Sequence, residues 1–365
     1  MAKWRSLLFA ATLSVITLTG CTSTAPSNSG GAGGEGTTAN ASAGSRLGAI
    51  KSRGKLICGV EGSIPGFSFV DSSGAYSGLD VDICRAVAAA VFDTSENIDE
   101  KIEYRNLDST ERFTALAGGE VDMLSRNTTW TSSRDAAGGN GLEFAPTTFF
   151  DGQGMMVTKA SGITDLEDLA GKSVCVETGT TTELNLADKM RALGVQYNEV
   201  KFQDSDATYA AYAEGRCEAV TSDRSQLAAR RTTLANPDDH VLLDVTMSKE
   251  PLGPVTVNND SQWFDVVRWV TYGLFQAEEF DISQASVQDA VKSENPEIRR
   301  FLGTEGDLGS QLGLSNDYMV KVIAAVGNYG EVYERNVGTG SPLAIDRGLN
   351  KLWTEGGLMY SPPFR

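Results

Sequence analysis

The chain has 365 residues, 41% hydrophobic and 22% charged, which is enough apolar surface for two domains of ordinary size. Its formal charge of −17 excludes the basic footprint of a nucleic-acid-binding protein. Acidity on this scale favours solubility and says little more.

Lys3 and Arg5 precede the apolar run Leu7–Leu18, and Thr19-Gly20-Cys21 follows it directly. A basic start, a short apolar stretch and small residues at a cleavage point make an export signal, too short to be a membrane span. Leu18-Thr19-Gly20-Cys21 is similar to a bacterial lipobox, which implies cleavage before Cys21 and lipidation of its thiol. Residues 1–20 are therefore expected to be a lipoprotein signal peptide. Residues 21–45 are mostly Ser, Gly, Thr, Ala and Asn and cannot bury enough surface to offset their ordering entropy. They are expected to form a flexible lipid-anchored tether. The run Gly30–Gly34 is no nucleotide loop, because no strand leads into it and no helix leaves it.

With Cys21 assigned to lipid, Cys58, Cys84, Cys175 and Cys217 remain, and an exported chain lives where disulfides persist. Four cysteines allow three pairings. Two lie in each half of the chain, which predicts Cys58–Cys84 and Cys175–Cys217; the alternative is four buried free thiols.

Gly54–Val60 reads as a first strand ending in the turn-rich Glu61–Phe67, and Asp71–Gly74 marks a hairpin-like turn. Asp80–Phe92 places Ile83, Val87 and Val91 at i, i+4 and i+8, with three consecutive alanines between, and predicts a helix. Lys101–Tyr104 follows as a strand, Ser109–Ala117 as a helix ended by Gly118-Gly119, and Val121–Leu124 as another strand. The βαβαβ succession predicts a wound, largely parallel sheet.

Val121–Leu124 spills straight into Ser125–Arg134, ten residues of which seven carry a hydroxyl or amide and two a guanidinium. Clustered donors at a strand's carboxyl end are where open α/β sheets bind ligands. A guanidinium beside hydroxyls and free N–H groups suits a carboxylate. A solvated Ser/Thr turn with a surface arginine is the plainer reading.

After Phe149–Gly154 the plan starts again. Gly171–Gly179 echoes Gly54–Gly62, and Gly215–Val220 echoes Gly119–Leu124, again after an alanine-rich helix, Thr208–Glu214. Two similar lobes are expected. The turn Gly179–Glu183 opens a helix, Glu183–Leu193, with Thr180 and Glu183 at the spacing of a capping box. Free N–H groups at such a helix start can also receive an anion. Asp223 ends the strand that echoes Val121–Leu124, where it either caps the next helix or grips an ammonium group.

Taken in order, the lipobox, the tether and the segments GKLICGVEGSIPGF, ERFTALAGGEVDMLSRNTTWTSSRD, FFDGQGMMV, GKSVCVETGTTTELNLAD, AEGRCEAVTSD, SKEPLGPV and NYGEVYERNVG resemble a polar amino-acid-binding protein of an ABC importer. Within that family the general L-amino-acid-binding branch is the nearest match, over roughly residues 46–365. The resemblance implies an α/β, two-lobed type II periplasmic-binding-protein fold, each lobe a central mixed sheet flanked by helices. Lobe 1 is expected over 46–152 and 251–365 and lobe 2 over 153–250, joined by crossings at Phe149–Met156 and Met247–Pro254. The tail beyond about Glu294 is expected to pack on lobe 1.

The resemblance also places roles. Arg134 matches the arginine that binds the α-carboxylate, and Thr129 the hydroxyl residue whose N–H meets that carboxylate and whose oxygen meets the α-ammonium. Asn127 falls where a backbone carbonyl accepts from the ammonium. From lobe 2, Thr181 matches the N–H at the helix start and Asp223 the counter-charge of the ammonium. Glu61, Ile64, Phe67, Ser109 and Arg112 are expected to line the side-chain pocket, with Phe67 stacking on the ligand's methylenes unless it serves as a core aromatic. Arg112 and Arg126 are candidates for a ligand's second carboxylate, or else for structural ion pairs. Glu61 repels such a carboxylate unless one of these arginines neutralises it, so the expected ligands are glutamate, glutamine, aspartate and asparagine, with histidine at the edge of the set. The implied protein is a monomer, lipid-anchored at Cys21 in the periplasm or on the outer face of the cytoplasmic membrane, that delivers its ligand to permease subunits without a cofactor or metal.

The enzymatic rival is a cyclohexadienyl-dehydratase-like activity on the same fold, with Glu61 or Glu177 as general acid. The one histidine, His240, sits in an Asn-Pro-Asp-Asp-His turn, which excludes a histidine-based triad or a multi-histidine metal site near the motifs. A ligand-sensing module is a third possibility, and no signalling segment is expected.

Overall fold

The computed structural model describes residues 45–365. The expected signal peptide, Cys21 and nearly all of the tether lie outside the described residues. Ser45, assigned above to the tether's end, instead caps a helix, Arg46–Arg53, by accepting from the Gly48 N–H at 3.1 Å.

Two five-stranded sheets carry the fold, and they are wound alike. In the first the strand order is Ile102–Asn106, Leu56–Val60, Met123–Leu124, Val255–Val257, Leu142–Phe144. In the second it is Asn198–Phe202, Ser173–Glu177, Ala219–Asp223, Gln153–Thr158, His240–Leu242. In each, the first three strands run parallel and the fourth pairs antiparallel with both neighbours. The internal echo in the sequence is thus a real repeat of topology. Parallel strands covered on both faces need apolar side chains on both, as Leu56–Val60 and Ser173–Glu177 supply.

Between the sheets the chain passes twice. Phe149–Asp151 pairs antiparallel with Glu250–Leu252, Glu250 opposite Asp151. Both disulfides form as the spacing predicted. Cys58–Cys84 ties the first strand to the helix Leu79–Phe92, and Cys175–Cys217 ties its counterpart strand to the turn before Ala219–Asp223.

The helix Leu79–Phe92 packs on the helix Tyr318–Val326, and its small residues Ala86, Ala88, Ala89 and Ala90 are all buried. Gly78 ahead of it holds φ at 127°, and a Cβ there would meet the Phe67 carbonyl oxygen at 2.1 Å. The C-terminal helices Ser261–Glu279, Tyr318–Val326 and Tyr329–Asn336 share one core with Leu56, Cys58 and Leu79. Further on, Asn350 reaches the crossing strand, accepting from the Phe150 N–H at 2.6 Å.

Several element boundaries differ from those expected by one to three residues, and at two of them an acidic side chain takes backbone N–H groups. The strand expected at Val121 covers only Met123–Leu124, since the Asp122 carboxylate accepts the Ile57 N–H at 2.7 Å. The helix expected at Ser109 is regular only from Arg112, and Asp108 closes a turn ahead of it by taking the N–H groups of Thr110 and Glu111 at 2.8 and 2.9 Å. Among the described residues no helix is long and apolar enough to cross a membrane.

Candidate functional site

The polar loop after Met123–Leu124 is held from behind by Asp80, near the start of the helix Leu79–Phe92. Its carboxylate accepts from the Ser125 hydroxyl and the Asn127 N–H, each at 3.1 Å. Complete burial pushes the Asp80 carboxyl up to about 6, a cost tempered by those two bonds and by Arg126. Asn127 takes a left-handed conformation, φ 48°, to turn the chain there. Thr129 then bridges to Leu252 on the returning crossing strand, and the Trp130 N–H donates to the Pro251 carbonyl at 2.9 Å.

Arg134 sits in the single turn Ser132–Asp135, capped by the Thr131 hydroxyl. Its guanidinium donates to the Thr129 carbonyl at 2.8 Å and lies 5.1 Å from the Phe113 ring. It is 7% exposed, and burial lowers its pKa to about 10 despite the attraction of Glu250 and Asp223. It stays charged at neutral pH.

In front of this loop the two sheets close on a small polar cavity. From the first sheet's side it is lined by Glu61, Ile64, Ser109, Arg112, Arg126, Asn127 and Thr129. The opposite wall is Glu177, Thr180, Thr181, Thr182, Ser222, Asp223 and Gln226. The space left is about 20 Å³, room for a water or two. An amino-acid-sized molecule enters only as the walls part. Contacts across the rim hold them together: Gln203 donates to Asp108 at 3.1 Å, and Arg230 to the Ser63 carbonyl at 2.8 Å.

The lining carries charge of both signs with bonds unmade. Arg112 and Arg126 are each 3% exposed, and neither Nε finds an acceptor. Arg126 donates to the Ser109 hydroxyl at 3.3 Å. Burial, then the neighbouring Arg126 and Arg134, hold the Arg112 pKa well below the arginine range. Glu61 turns back to accept from the Ser63 N–H and hydroxyl at 2.6 and 2.7 Å. Its pKa is raised by burial and lowered most by Arg126, so Arg126 is the charge that offsets it. The Glu177 Oε1 and both side-chain polar atoms of Asn127 are buried without partners.

On the far wall Thr180 caps the helix Thr181–Leu193, accepting the Glu183 N–H at 3.1 Å. The reciprocal arm of the expected capping box is absent. Glu183 reaches one residue too early and takes the Gly179 N–H at 2.8 Å, with Lys201 on its other oxygen at 2.7 Å. Asp223 precedes the helix Arg224–Arg231 yet makes no side-chain cap bond to it. Its carboxylate turns into the cleft instead. Burial, then Asp151 and Glu250, raise its pKa well above the ordinary aspartate value, while Arg112 and Arg134 pull the other way.

Nine of the eleven residues expected at the ligand line this cavity; Arg134 and Phe67 do not. Arg134 lies behind Thr129, one carbonyl away. Phe67 does not reach the cleft: it is 1% exposed and packs edge-on against Phe149, ring centres 5.1 Å apart, within the apolar core. Thr180, Thr182, Ser222 and Gln226 were not expected on the walls, and Glu177 was expected in the cleft only as the general acid of the enzymatic alternative. Glu177 ends its strand with a carboxylate as Glu61 follows the matching strand.

Residues 56–304 match the family of bacterial extracellular solute-binding proteins, family 3. The chain belongs to that family. Its fold is the two-lobed type II fold of periplasmic binding proteins, each lobe a mixed sheet flanked by helices. Among relatives in this solute-binding family, the general L-amino acid-binding periplasmic protein AapJ of Rhizobium johnstonii is 50% identical over 329 residues, 90% of this chain and 95% of that protein. The glutamate/glutamine/aspartate/asparagine-binding protein BztA of Rhodobacter capsulatus is 47% identical over 328 residues, 90% of this chain and 95% of that one. A solved ABC transporter periplasmic binding protein from Brucella ovis with glutathione bound superposes with a TM-score of 0.84 at 49% identity, covering 88% of this chain and 99% of that one.

Proposed function

We propose that this solute-binding protein is the extracytoplasmic component of an ABC amino-acid importer and takes polar and acidic L-amino acids between its lobes. The observation that carries the reading is the split of charge across the cleft. Thr129 comes from one wall with Arg134 directly behind it, and Asp223 with the helix start at Thr181 from the other. A zwitterion leaving water needs both of its charges paired and hydrogen-bonded. Neither wall alone provides that, so closure depends on the ligand. In this reading lobe 1 is 46–152 with 251–365, lobe 2 is 153–250, and the paired strands Phe149–Asp151 and Glu250–Leu252 form the hinge.

The α-carboxylate goes to Arg134 and the Thr129 N–H, and the α-ammonium to Asp223 and the Thr129 oxygen, with the Asn127 carbonyl beside them. Glu61, Ile64, Ser109, Arg112 and Arg126 meet the side chain. Because Arg126 already offsets Glu61, Arg112 is the freer cation for a ligand's second carboxylate. Glutamate, glutamine, aspartate and asparagine are the leading ligands, in keeping with the names of the relatives. The glutathione held by the Brucella relative also presents a free amino-acid head, so γ-glutamyl peptides belong in the same set. Cys21 anchors the monomeric protein to the membrane by lipid, and permease subunits receive the ligand. The relatives are binding proteins, which supports a role without catalysis.

Calorimetric titration of the mature chain with the twenty amino acids and glutathione tests this, with Trp130 in the loop as a fluorescent reporter. Binding of the acidic and amide amino acids is expected; no binding by any amino acid overturns the reading. Arg112→Ala is expected to weaken glutamate far more than glutamine, and equal losses remove that role from Arg112.

A further inference from the structure

Glu250, at the start of the returning hinge strand, is 1% exposed and gathers groups from both walls. Its Oε2 accepts from the Thr129 hydroxyl at 2.6 Å and from the Thr181 hydroxyl at 2.9 Å. Its Oε1 accepts from the Asn185 amide at 2.8 Å and from the Ser248 hydroxyl. The charges around it are Arg134, which attracts it, and the carboxyls of Asp151 and Asp223, which repel it.

A threonine hydroxyl has one proton to give and two lone pairs to offer. Once that proton is committed to Glu250, each hydroxyl turns to its other neighbours only as an acceptor. The two oxygens lie 3.3 Å apart, and both threonines line the cavity together with Asp223. Two oriented acceptors and a carboxyl group suit a ligand group rich in N–H donors and disfavour one that brings lone pairs. We propose that Glu250 is a positioning residue that fixes Thr129 and Thr181 as hydrogen-bond acceptors and thereby selects an α-ammonium group over an α-hydroxyl; this rests on the amino-acid reading above. Without Glu250 both hydroxyls are free to rotate, and either donates to a ligand oxygen.

The test is calorimetric titration of the full mature chain as wild type, Glu250→Ala and Glu250→Gln, each against L-glutamate and (S)-2-hydroxyglutarate, with thermal melts as the folding control. Glu250→Ala is expected to weaken glutamate by roughly 30- to 100-fold while leaving 2-hydroxyglutarate within about threefold, so that the preference collapses. Glu250→Gln keeps a carbonyl that accepts from both hydroxyls and is expected to restore glutamate to within about tenfold of wild type. Equal losses for the two ligands in Glu250→Ala, no loss at all, or no rescue by Glu250→Gln overturn the proposal. Should Glu250→Ala not fold, Thr181→Val removes one acceptor and is expected to narrow the same preference; an unchanged preference overturns it. A wild type that binds no amino acid overturns the amino-acid reading itself, and is told apart because the failure precedes any substitution.

Discussion

Arg134→Ala is the perturbation whose size follows most directly from the structure. The guanidinium is 7% exposed, and burial draws its pKa from 12.5 down to about 10. At 1.36 kcal/mol per unit that is a cost on the order of 3 kcal/mol for keeping the charge buried behind the cleft wall. A ligand carboxylate beside it offsets this cost and adds charge-assisted hydrogen bonds. Truncation should therefore weaken amino-acid binding by about 3 kcal/mol, roughly 150-fold. The ligand-free fold should hold, because the one bond lost, to the Thr129 carbonyl at 2.8 Å, is exchanged for relief of the buried charge. The assay is calorimetric titration with L-glutamine, with a thermal melt of each ligand-free protein. Affinity within about threefold of wild type, on the order of 0.7 kcal/mol, would falsify the assignment of Arg134 to the carboxylate.

Asp223, its pKa raised by burial and by Asp151 and Glu250, should ionise when an ammonium arrives beside it. Binding should then release protons, and affinity should weaken as pH falls through the raised pKa. Calorimetry in buffers of different ionisation enthalpy counts them; no release at any pH at which the ligand binds, or release that survives Asp223→Asn, contradicts this. Asp151 is also raised, from 3.8 to about 6, chiefly by burial. The folded state then binds more protons than the unfolded chain between those values, so stability falls as pH rises across that window and the full penalty stands above it. Asp151→Asn should stabilise the protein by on the order of 1 kcal/mol at pH 7.5, less than the full shift because an amide oxygen accepts only one of the Gly152 and Ser225 N–H bonds that the two carboxylate oxygens take, with no gain near pH 3.5. Urea unfolding at the two pH values checks it, and an equal gain at both would point elsewhere. Replacing Cys175 and Cys217 by alanine opens a loop of 42 residues, for a loss of about 4 kcal/mol in chain entropy. Denaturant midpoints measure that loss, and a cost below about 1 kcal/mol would show that the unfolded chain was little constrained.

Much of the frame was legible because it rests on local pattern. The repeat of Gly54–Gly62 in Gly171–Gly179 marked two sheets wound alike, and the division of four cysteines between the halves gave both disulfides. The loop Ser125–Arg134 drew notice through composition alone. Roles that depend on convergence stayed hidden. Glu250 meets Thr129 from 121 positions away and Thr181 from 69, and nothing in Ser-Lys-Glu-Pro announces either contact. Asp80 likewise looks like an ordinary acid in a helix's first turn until Ser125 and Asn127 are seen to bond to it. Phe67 shows the opposite limit. An aromatic in a ligand-side turn suits a stacking wall as well as a core, and only the placement of Phe149 decides for the core. At Asp223, helix-cap position and cleft position coincide in sequence, and the missing cap bond separates them.

Arg134 and Asp223 receiving opposite ends of one zwitterion is the central claim, and a crystal structure of the protein with L-glutamate bound tests it most directly. The α-carboxylate is predicted within about 3 Å of the Arg134 guanidinium, and the α-ammonium within about 3 Å of the Asp223 carboxylate. A ligand bound in the reverse sense, or with either charge held by other residues, would contradict it.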